Sequence, residues 1–467
     1  MPPRIRLAAA VVVASGVAVL SAVAGTGPLA ASGRSHVASL ADRACPAGLG
    51  PGWRCATATV PLDHGGRDPG VVHVAVALRH APGPPRPAVL ALAGGPGEAA
   101  IPGAHRFQRL LAPLLTSRDL LVVDVRGTGA SDPIACPQID TTGTWSPAAV
   151  ADCARDLGAA AGHYGSSDVA DDLDDVRRLL AIPRLAVYGV SYGSKTAVAY
   201  ARRHPATVDG LVLDSPIVED TDPFYRRSAT GSARVLANVC AEGGCPPGAD
   251  PVADLRALVR RASGGVQTAG RASVTEASIL HAVVGGGAPL RALPDALHAA
   301  ARGDLAALAR VVPARTPDLR AAPWMSPRFS HTVYLATSCD DGDFPWPADR
   351  TPAQRGTSAR RYLDHLTDAA FAPFDRHVGE QYGETRICAP WPPAARRPAP
   401  PPVPDVPALL LVGGDDDLAP LEGAREVAGE LPRMRLVAVP GVGHGVLHRS
   451  GTAAAALRDF AGTLGGG

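Results

Sequence analysis

Short apolar runs of strand length recur along this chain, with helical patterns between them. They lie at residues 71–78, 88–92, 120–123, 185–188, 211–213, 408–412 and 436–439. Runs that are apolar on both faces and joined by helices are typical of strands buried in a mostly parallel sheet. We therefore predict an α/β fold in which helices cover both faces of a mostly parallel central sheet.

One connecting helix is clear from its sequence and spans residues 168–181. Apolar residues recur there at helical spacing, from Val169 to Leu180. Acidic residues fill the first turns, whereas Arg177 and Arg178 come later, an order that complements the helix dipole. The pattern therefore predicts an amphipathic helix.

The strand pattern stops after Pro216 and resumes at Ala408. Helical patterns and prolines dominate residues 217–400, which we interpret as a helical lid inserted into one sheet. Residues 32–216 and 401–467 then form the first and last parts of the core. Two independent domains are the alternative, but the final strands are too few to make a sheet of their own.

The N-terminus has the features of an export signal. A short basic start precedes an apolar stretch from Leu7 to Ala24, and small residues continue through Ala31. We expect residues 1–31 to act as a signal peptide, with cleavage after Ala24 or after Ala31. A retained membrane anchor is the alternative. The prediction is a secreted, extracellular protein with no stable membrane insertion after cleavage.

Composition restricts the class of partner. Hydrophobic residues make up 46% of the chain and charged residues 19%, so a large apolar core is available. Lys and Arg number 45 against 44 Asp and Glu, a net charge of +1. Because this balance is near neutral, we expect neither nucleic acid nor an anionic membrane surface as the main partner.

The eight cysteines fit an oxidising compartment. Pairing each cysteine with its neighbour along the chain is a guess from short loop lengths, because eight cysteines allow 105 pairings. The predicted pairs are Cys45–Cys55, Cys136–Cys153, Cys240–Cys245 and Cys339–Cys388. The spacing does not match a zinc site, and we expect no metal and no cofactor.

The pentapeptide at 189–193 has the G-x-S-x-G pattern of a nucleophile elbow, with Ser191 at its centre. In a chain with 51 glycines the pattern alone is weak, since chance gives about a quarter of one match. An apolar run precedes it and a helical pattern follows it, as such an elbow requires. Ser191 is therefore the predicted nucleophile.

A base and an acid are expected later in the chain. His444 is the predicted base, because it lies in a glycine-rich loop directly after a strand. His448 is the nearest rival. Asp415, Asp416 and Asp417 all follow the run at 408–412, and their positions alone do not identify the acid.

Two backbone N–H groups are expected to form an oxyanion hole. Residues 93–97, Ala-Gly-Gly-Pro-Gly, follow the run at 88–92, and glycines there allow close approach of the backbone to a reacting carbonyl. The predicted donors are Gly95 and Tyr192, the residue after the nucleophile.

Several ordered motifs together resemble one known family, the secreted tripeptidyl-aminopeptidase-like and prolyl-aminopeptidase-like serine hydrolases of the α/β-hydrolase fold. The resemblance runs from about residue 45 to the C-terminus. The motifs that carry it are Val60–His64, Gly94–Gly97, Asp124–Ser131, Gly189–Gly193, Ser338–Asp340, Cys388–Trp391 and Gly443–Gly445.

The resemblance implies Asp416 as the acid of a Ser–Asp–His triad. Asp417 occupies the family's usual proline position and Ala419 its usual threonine, which leaves Asp417 as the fallback. Ala93 replaces the histidine of prolyl aminopeptidases, and Glu98 replaces a residue that is commonly small. These two departures bear on specificity more than on the chemistry.

The expected reaction is acyl transfer through a covalent intermediate on the serine. The resemblance favours an exopeptidase that releases short N-terminal units, with lid carboxylates that bind the substrate ammonium. We prefer Glu219 and Asp340 for this role. The wider set of candidates is Glu219, Asp220, Asp222, Asp340, Asp341 and Asp343. The alternatives are a carboxylesterase of small esters and, from another class, a non-catalytic binding protein on the same fold.

Overall fold

The computed structural model describes residues 38–80, 86–140, 145–217, 222–262, 266–269, 272–312, 329–392 and 401–464. The predicted signal peptide, residues 1–31, lies outside these residues, as does Glu219. Within the described ranges, no helix is both long enough and apolar enough to cross a membrane.

A single large sheet forms the centre of the protein. The strands are β1 (Ser39–Arg43), β2 (Trp53–Pro61), β3 (Val71–Arg79), β4 (Ala88–Leu92), β5 (Asp119–Val123), β6 (Leu185–Val190), β7 (Val208–Asp214), β8 (Val266–Ala269), β9 (Ala272–Thr275), β10 (Pro407–Gly413) and β11 (Arg433–Val439). Their order in the large sheet is β1-β2-β3-β5-β4-β6-β7-β10-β11. Pairing from β5 to β11 is parallel, whereas the β1–β2, β2–β3 and β3–β5 pairs are antiparallel.

Helices cover both faces of this sheet. The helices of the described residues are α1 (Ala104–Leu110), α2 (Pro137–Asp140), α3 (Pro147–Leu157), α4 (Ser166–Leu179), α5 (Tyr192–Arg203), α6 (Arg226–Ala241), α7 (Pro251–Arg261), α8 (Glu276–Gly285), α9 (Gly287–Ala301), α10 (Leu305–Val311), α11 (His331–Asp341), α12 (Pro352–His365), α13 (Arg376–Tyr382), α14 (Thr385–Cys388), α15 (Leu421–Gly429) and α16 (Gly451–Thr463). Short 3₁₀ turns lie at Ala47–Leu49, Ile101–Gly103, Ala112–Leu114, Gly158–Gly162, Pro205–Thr207 and Asp368–Phe371.

Burial on both faces explains the continuous apolar runs. Every residue of β4 is buried, and alternate side chains point to opposite sides of the sheet. Leu90 packs in a core with Leu173 of α4, whereas its neighbour Val89 packs in a second core with Leu457 of α16. The predicted fold class, a mostly parallel sheet between helical layers, is confirmed.

The chain leaves the sheet after β7 and returns to it at β10. β10 pairs in parallel with β7, so that Ala408 lies opposite Leu211. The described residues between these strands, which we call the insertion, form α6 to α14 and the antiparallel β8–β9 pair. Leu236, Leu280 and Leu297 belong to an apolar core of the insertion's own.

Four disulfide bonds are present, and their pairing is the one predicted from the sequence. They join Cys45 to Cys55, Cys136 to Cys153, Cys240 to Cys245 and Cys339 to Cys388. The last bond ties the end of α11 to α14 inside the insertion.

Candidate active site

Ser191 lies at the turn between β6 and α5 in an unusual backbone conformation. Its φ is 56° and its ψ is −129°, a combination that costs free energy for any residue with a side chain. The backbone N–H of Ser191 donates to the carbonyl of Asp214 at 2.8 Å, which holds the turn against the end of β7. This strained strand-to-helix turn is the geometry of a nucleophile elbow.

The two glycines of the pentapeptide are required by close backbone contacts. A Cβ on Gly189 would overlap the backbone of Gly193, and a Cβ on Gly193 would overlap the carbonyl of Ala93. Glycine is the residue without that atom. The pattern in the sequence therefore reflects the packing of the elbow against the loop after β4.

Asp416 and His444 meet at the carboxyl ends of β10 and β11. The Nδ1 atom of His444 lies 3.0 Å from one oxygen of Asp416 and 3.2 Å from the other. The Asp416 side chain is fully buried, and one of its oxygens also accepts N–H groups from Leu418 and Ala419. Such donors favour the ionised carboxylate, the form that can orient an imidazole and stabilise its charge.

The neighbouring acids face other partners. Asp415 accepts a hydrogen bond from Asn238, and Asp417 accepts one from Ser232; both donors belong to α6. Burial raises the pKa of Asp417 well above its ordinary value. The rival base His448 lies beside Arg449 at the surface, and partial desolvation of its imidazole together with the positive charges of Arg106 and Arg449 lowers its pKa to about 4.

Asp214 holds the loop that carries His444, a role that the sequence reasoning missed. Its carboxylate accepts the N–H groups of Val446 at 2.7 Å and Leu447 at 3.2 Å, and the hydroxyl of Tyr188 at 3.0 Å. Because its carbonyl also accepts the N–H of Ser191, one residue joins the elbow to the histidine loop. Its place directly after an apolar run was the signal available in the sequence.

The surroundings of His444 favour its protonated form. Burial by itself lowers the pKa of this imidazole. The charge and hydrogen bond of Asp416, together with the charge of Asp214, raise the pKa by more than burial lowers it. The net effect is a pKa above the ordinary 6.5. The side chain keeps 27% of its surface exposed, and its Nδ1 is the ring nitrogen that contacts Asp416.

The loop after β4 passes directly beside the nucleophile. A Cβ on Gly94 would lie 2.9 Å from the Cβ of Ser191, closer than side chains normally approach. Gly95 has a φ of 114°, which favours glycine, and a Cβ there would lie 2.7 Å from the Gly97 nitrogen. The predicted oxyanion donor Gly95 therefore lies in the loop that contacts Ser191.

A cavity of about 130 Å³ opens beside the nucleophile. The core contributes Gly95, Ser191 and Tyr192 to its wall, so both predicted oxyanion donors border it. The residues that the insertion contributes include Asp222, Tyr225, Tyr334, Ser338, Asp341 and Glu384. The cavity is thus the place where an acyl group would contact both the core and the insertion.

Glu384 is a buried carboxylate, and one of its oxygens has no hydrogen-bond partner among the described residues. Its Oε1 accepts the hydroxyls of Tyr225 and Tyr334, each at 3.0 Å, whereas Oε2 is buried with no hydrogen-bond partner among the described residues. Only 5% of this residue is exposed. An unpaired buried carboxylate oxygen is costly, and Glu384 is a residue that lines the cavity, so it is a candidate to bind a cationic group of a ligand.

The two residues preferred for amine binding are placed differently. Asp340 is buried, and its oxygens accept the N–H of Tyr164 at 3.1 Å and the indole N–H of Trp391 at 3.3 Å. It does not line the cavity, whereas the adjacent Asp341 does. Glu219 lies outside the described residues. Glu384 was not predicted, and no local pattern in the sequence distinguishes it.

Two groups of carboxylates and a histidine could hold a metal ion within the described parts of the chain. They are Asp63 with Asp68 and His163, and Glu276 with Asp375 and His377. Neither group includes a residue that lines the cavity beside Ser191.

Comparison with known proteins agrees with this geometry. Residues 87–449 match the family described as alpha/beta hydrolase fold. Serine protease Hip1 of Mycobacterium tuberculosis is 31% identical over 232 residues, which are 43% of this chain and 44% of that protein. Proline iminopeptidase of Neisseria gonorrhoeae is 34% identical over 125 residues, 27% of this chain and 31% of that protein.

Among solved structures, proline iminopeptidase of Mycobacterium smegmatis aligns with a TM-score of 0.36 at 17% identity, covering 87% of this chain and 98% of that one. The chain spans less than half the length of the curated relatives named above. The family match covers well over half of this sequence, and the matched range includes Ser191, Asp416 and His444. The chain therefore belongs to the α/β-hydrolase fold family.

Proposed function

We propose that this protein is a secreted serine exopeptidase that removes short units from the free N-terminus of peptides. Ser191 attacks the scissile carbonyl, and His444 takes the serine proton. Asp416 orients the imidazole and stabilises its charge. His444 then protonates the leaving amine, and a water molecule repeats the cycle on the acyl-enzyme.

The backbone N–H groups of Gly95 and Tyr192 are the donors for the developing oxyanion. Tyr192 is the first residue of α5, so its N–H has no partner within the helix and remains available. Preorganised donors of this kind stabilise the transition state more than the substrate, which raises kcat.

The single observation that favours an exopeptidase over an esterase is the free oxygen of Glu384. A peptide N-terminus carries an ammonium group with three donors, and a desolvated carboxylate in the same cavity as the nucleophile would bind it strongly. The phenols of Tyr225 and Tyr334 hold the carboxylate in place. Burial and the charge of Glu384 raise the pKa of Tyr225 well above 10.0, so this phenol stays a donor.

Export is supported by two features. Four disulfide bonds fit an oxidising compartment, and the N-terminal sequence has the composition of a signal peptide. Culture supernatant of a native producer should therefore contain the protein with a new N-terminus after Ala24 or after Ala31, as read by mass spectrometry. Retention of the intact N-terminus in the membrane fraction would contradict export.

The deciding experiment compares a free-amine peptide anilide with its N-acetylated twin. A charge-assisted hydrogen bond to Glu384 should make kcat/KM about 10- to 100-fold higher for the free amine. Glu384→Gln should remove most of this preference and leave the rate on the acetylated twin nearly unchanged. Equal cleavage of both substrates by the wild type, or a preference for simple esters, would favour the esterase.

Glu276→Gln is the matched control for this substitution. Glu276 is also a buried glutamate at the start of a helix of the insertion, and its Oε1 likewise has no hydrogen-bond partner among the described residues. It does not line the cavity, and its variant should keep the preference for the free amine. A non-catalytic binding protein is ruled out if the wild type turns over and Ser191→Ala does not.

A further inference from the structure

One helix of the insertion, α11, contacts both backbone segments that supply the oxyanion donors. At its start, the N–H of Ser330 donates to the carbonyl of Gly97 at 3.0 Å, and Phe329 lies against Gly95. At its end, the carboxylate of Asp341 accepts the hydroxyl of Tyr192. The helix therefore spans from one donor of the oxyanion hole to the other.

The Asp341 carboxylate is itself fixed to the core. The N–H of Ser166, the first residue of α4, donates to both of its oxygens, at 3.0 and 3.1 Å. A Cβ on Gly165 would lie 2.8 Å from one of these oxygens, so glycine permits this approach. The positive end of the α4 dipole favours a negative charge at this place.

Two groups of Tyr192 matter here, the phenol of its side chain and its backbone N–H. Its phenol is buried, and burial together with the charge of Asp341 raises its pKa well above 10.0, so that it donates to the carboxylate. Its backbone N–H points from the first turn of α5, directly after Ser191. Because the phenol and this N–H belong to one residue beside the strained turn at Ser191, we expect loss of the phenol's hydrogen bond to let the peptide unit that carries the N–H shift.

The alternative role for Asp341 is binding of the substrate amine, because this residue also lines the cavity. Both of its oxygens already accept hydrogen bonds, from Ser166 and from Tyr192. Glu384, by contrast, has an oxygen to spare. The contacts therefore favour a structural role for Asp341 and a ligand-binding role for Glu384.

We propose that Asp341 is a positioning residue of the oxyanion hole: it fixes the Tyr192 side chain and thereby the backbone N–H that stabilises the transition state. The proposal rests on the proposed function, since it requires Tyr192 to be an oxyanion donor. Under this proposal, the insertion helps to position the oxyanion hole and does not only cover the substrate.

The test uses Tyr192→Phe, Asp341→Asn and the double variant in the full chain. Loss of one oxyanion donor costs about 100- to 1000-fold in kcat, and a donor that is only misplaced should cost part of that, about tenfold. We expect kcat to fall by about this factor in each variant, with KM changed by less than about twofold. The double variant should be no slower than either single one, because all three lose the charge-assisted hydrogen bond between Tyr192 and Asp341.

A binding measurement isolates the oxyanion hole. A peptide aldehyde forms a hemiacetal with Ser191 that places an oxyanion in the hole, whereas the corresponding peptide amide forms no such bond. The variants should bind the aldehyde about tenfold more weakly and the amide with unchanged affinity. Equal aldehyde affinity in Tyr192→Phe and the wild type would overturn the proposal, as would an equal loss for aldehyde and amide.

Tyr200→Phe is the matched control. Tyr200 lies on the same helix, and its hydroxyl also donates to an aspartate, Asp174, away from the cavity. This variant should keep the kcat and the aldehyde affinity of the wild type. Each rate is divided by the concentration of active sites, which is measured by labelling with a phosphonate reagent. If Asp341→Asn does not fold, the kcat and the aldehyde affinity of Tyr192→Phe alone test the proposal.

Failure of the proposed function gives a different result. A wild type that cleaves neither the free-amine anilide nor its acetylated twin refutes the exopeptidase. The positioning role of Asp341 is refuted only by the aldehyde affinities or by an unchanged kcat in an active enzyme. The two outcomes are read from different measurements.

Discussion

Asp416→Asn tests whether the carboxylate that contacts His444 is the acid of the triad. The change removes one negative charge and keeps the volume of the side chain. Opposite charges 3.0 Å apart interact by about 5 kcal/mol at an effective dielectric constant of about 20. Because the imidazole becomes charged only in the transition state, most of this free energy appears in kcat, a loss of about 10³- to 10⁴-fold.

The same substitution should move the pH profile. In the wild type, Asp416 holds the pKa of His444 above 6.5, and the base is protonated and inactive below that pKa. The rate should therefore fall as pH decreases, with a midpoint above 6.5. Asp416→Asn removes the charge that raises the pKa, while burial continues to lower it, so the midpoint should move to lower pH.

Asp417→Asn provides the internal comparison. Asp417 is the next residue, is equally buried, and contacts Ser232 instead of His444. Hydrolysis of the free-amine anilide is measured between about pH 5 and 9 for both variants. We expect Asp417→Asn to keep kcat within about threefold of the wild type. A large loss in Asp417→Asn with little loss in Asp416→Asn would refute the assignment and select the fallback acid.

Two further substitutions test the packing around the site. Gly94→Ala places a Cβ 2.9 Å from that of Ser191, so we expect kcat to fall by about 10- to 100-fold in a folded protein; an unchanged kcat would show that the loop yields easily. Asp214→Ala leaves the N–H groups of Val446 and Leu447 without their acceptor, and denaturant unfolding should show a stability loss of about 2–4 kcal/mol. A loss below about 1 kcal/mol would mean that the histidine loop is held by other contacts.

The positions of Ser191 and His444 relative to the strands were predictable because they follow local rules. Parallel strands buried on both faces read as apolar runs, and catalytic side chains follow the carboxyl ends of those strands. The glycines of the elbow at Ser191 are required by close backbone contacts, whereas in the loop of His444 a positive φ favours glycine at Gly441 and Gly445. Asp416 could be chosen among three adjacent acids only through the family resemblance, because the choice depends on which side chain turns towards α6.

Other elements were hidden because they lack such a pattern. Four of the five residues in β1 are exposed, so this edge strand shows no apolar run. The predicted helix at 168–181 is observed as Ser166–Leu179, since the polar residues Ser166 and Ser167 give no apolar signal at its start. Pairing of the edge strand β1 depends on a partner strand elsewhere in the chain, β2.

The side-chain contacts of the insertion could not be predicted from the sequence, for a physical reason. Asp340 and Asp341 are consecutive, and consecutive helical residues point about 100° apart, so one faces Trp391 while the other faces Tyr192. Periodicity marks the buried face of a helix but does not show what that face meets. Glu384 could be identified only from its hydrogen bonds to Tyr225 and Tyr334, which the tertiary structure brings together from other elements.

The residues proposed for the reaction and those proposed for substrate recognition lie in different parts of the protein, with one exception. Ser191 and the loops that carry Asp416 and His444 belong to the core, whereas Glu384 belongs to the insertion. If the insertion only selected the acyl group, its substitutions would change KM and selectivity and leave kcat unaltered. Helix α11 contradicts that separation, because Asp341 at its end holds Tyr192. We therefore expect substrate selection and transition-state stabilisation to change together when α11 is altered, and independently when Glu384 is.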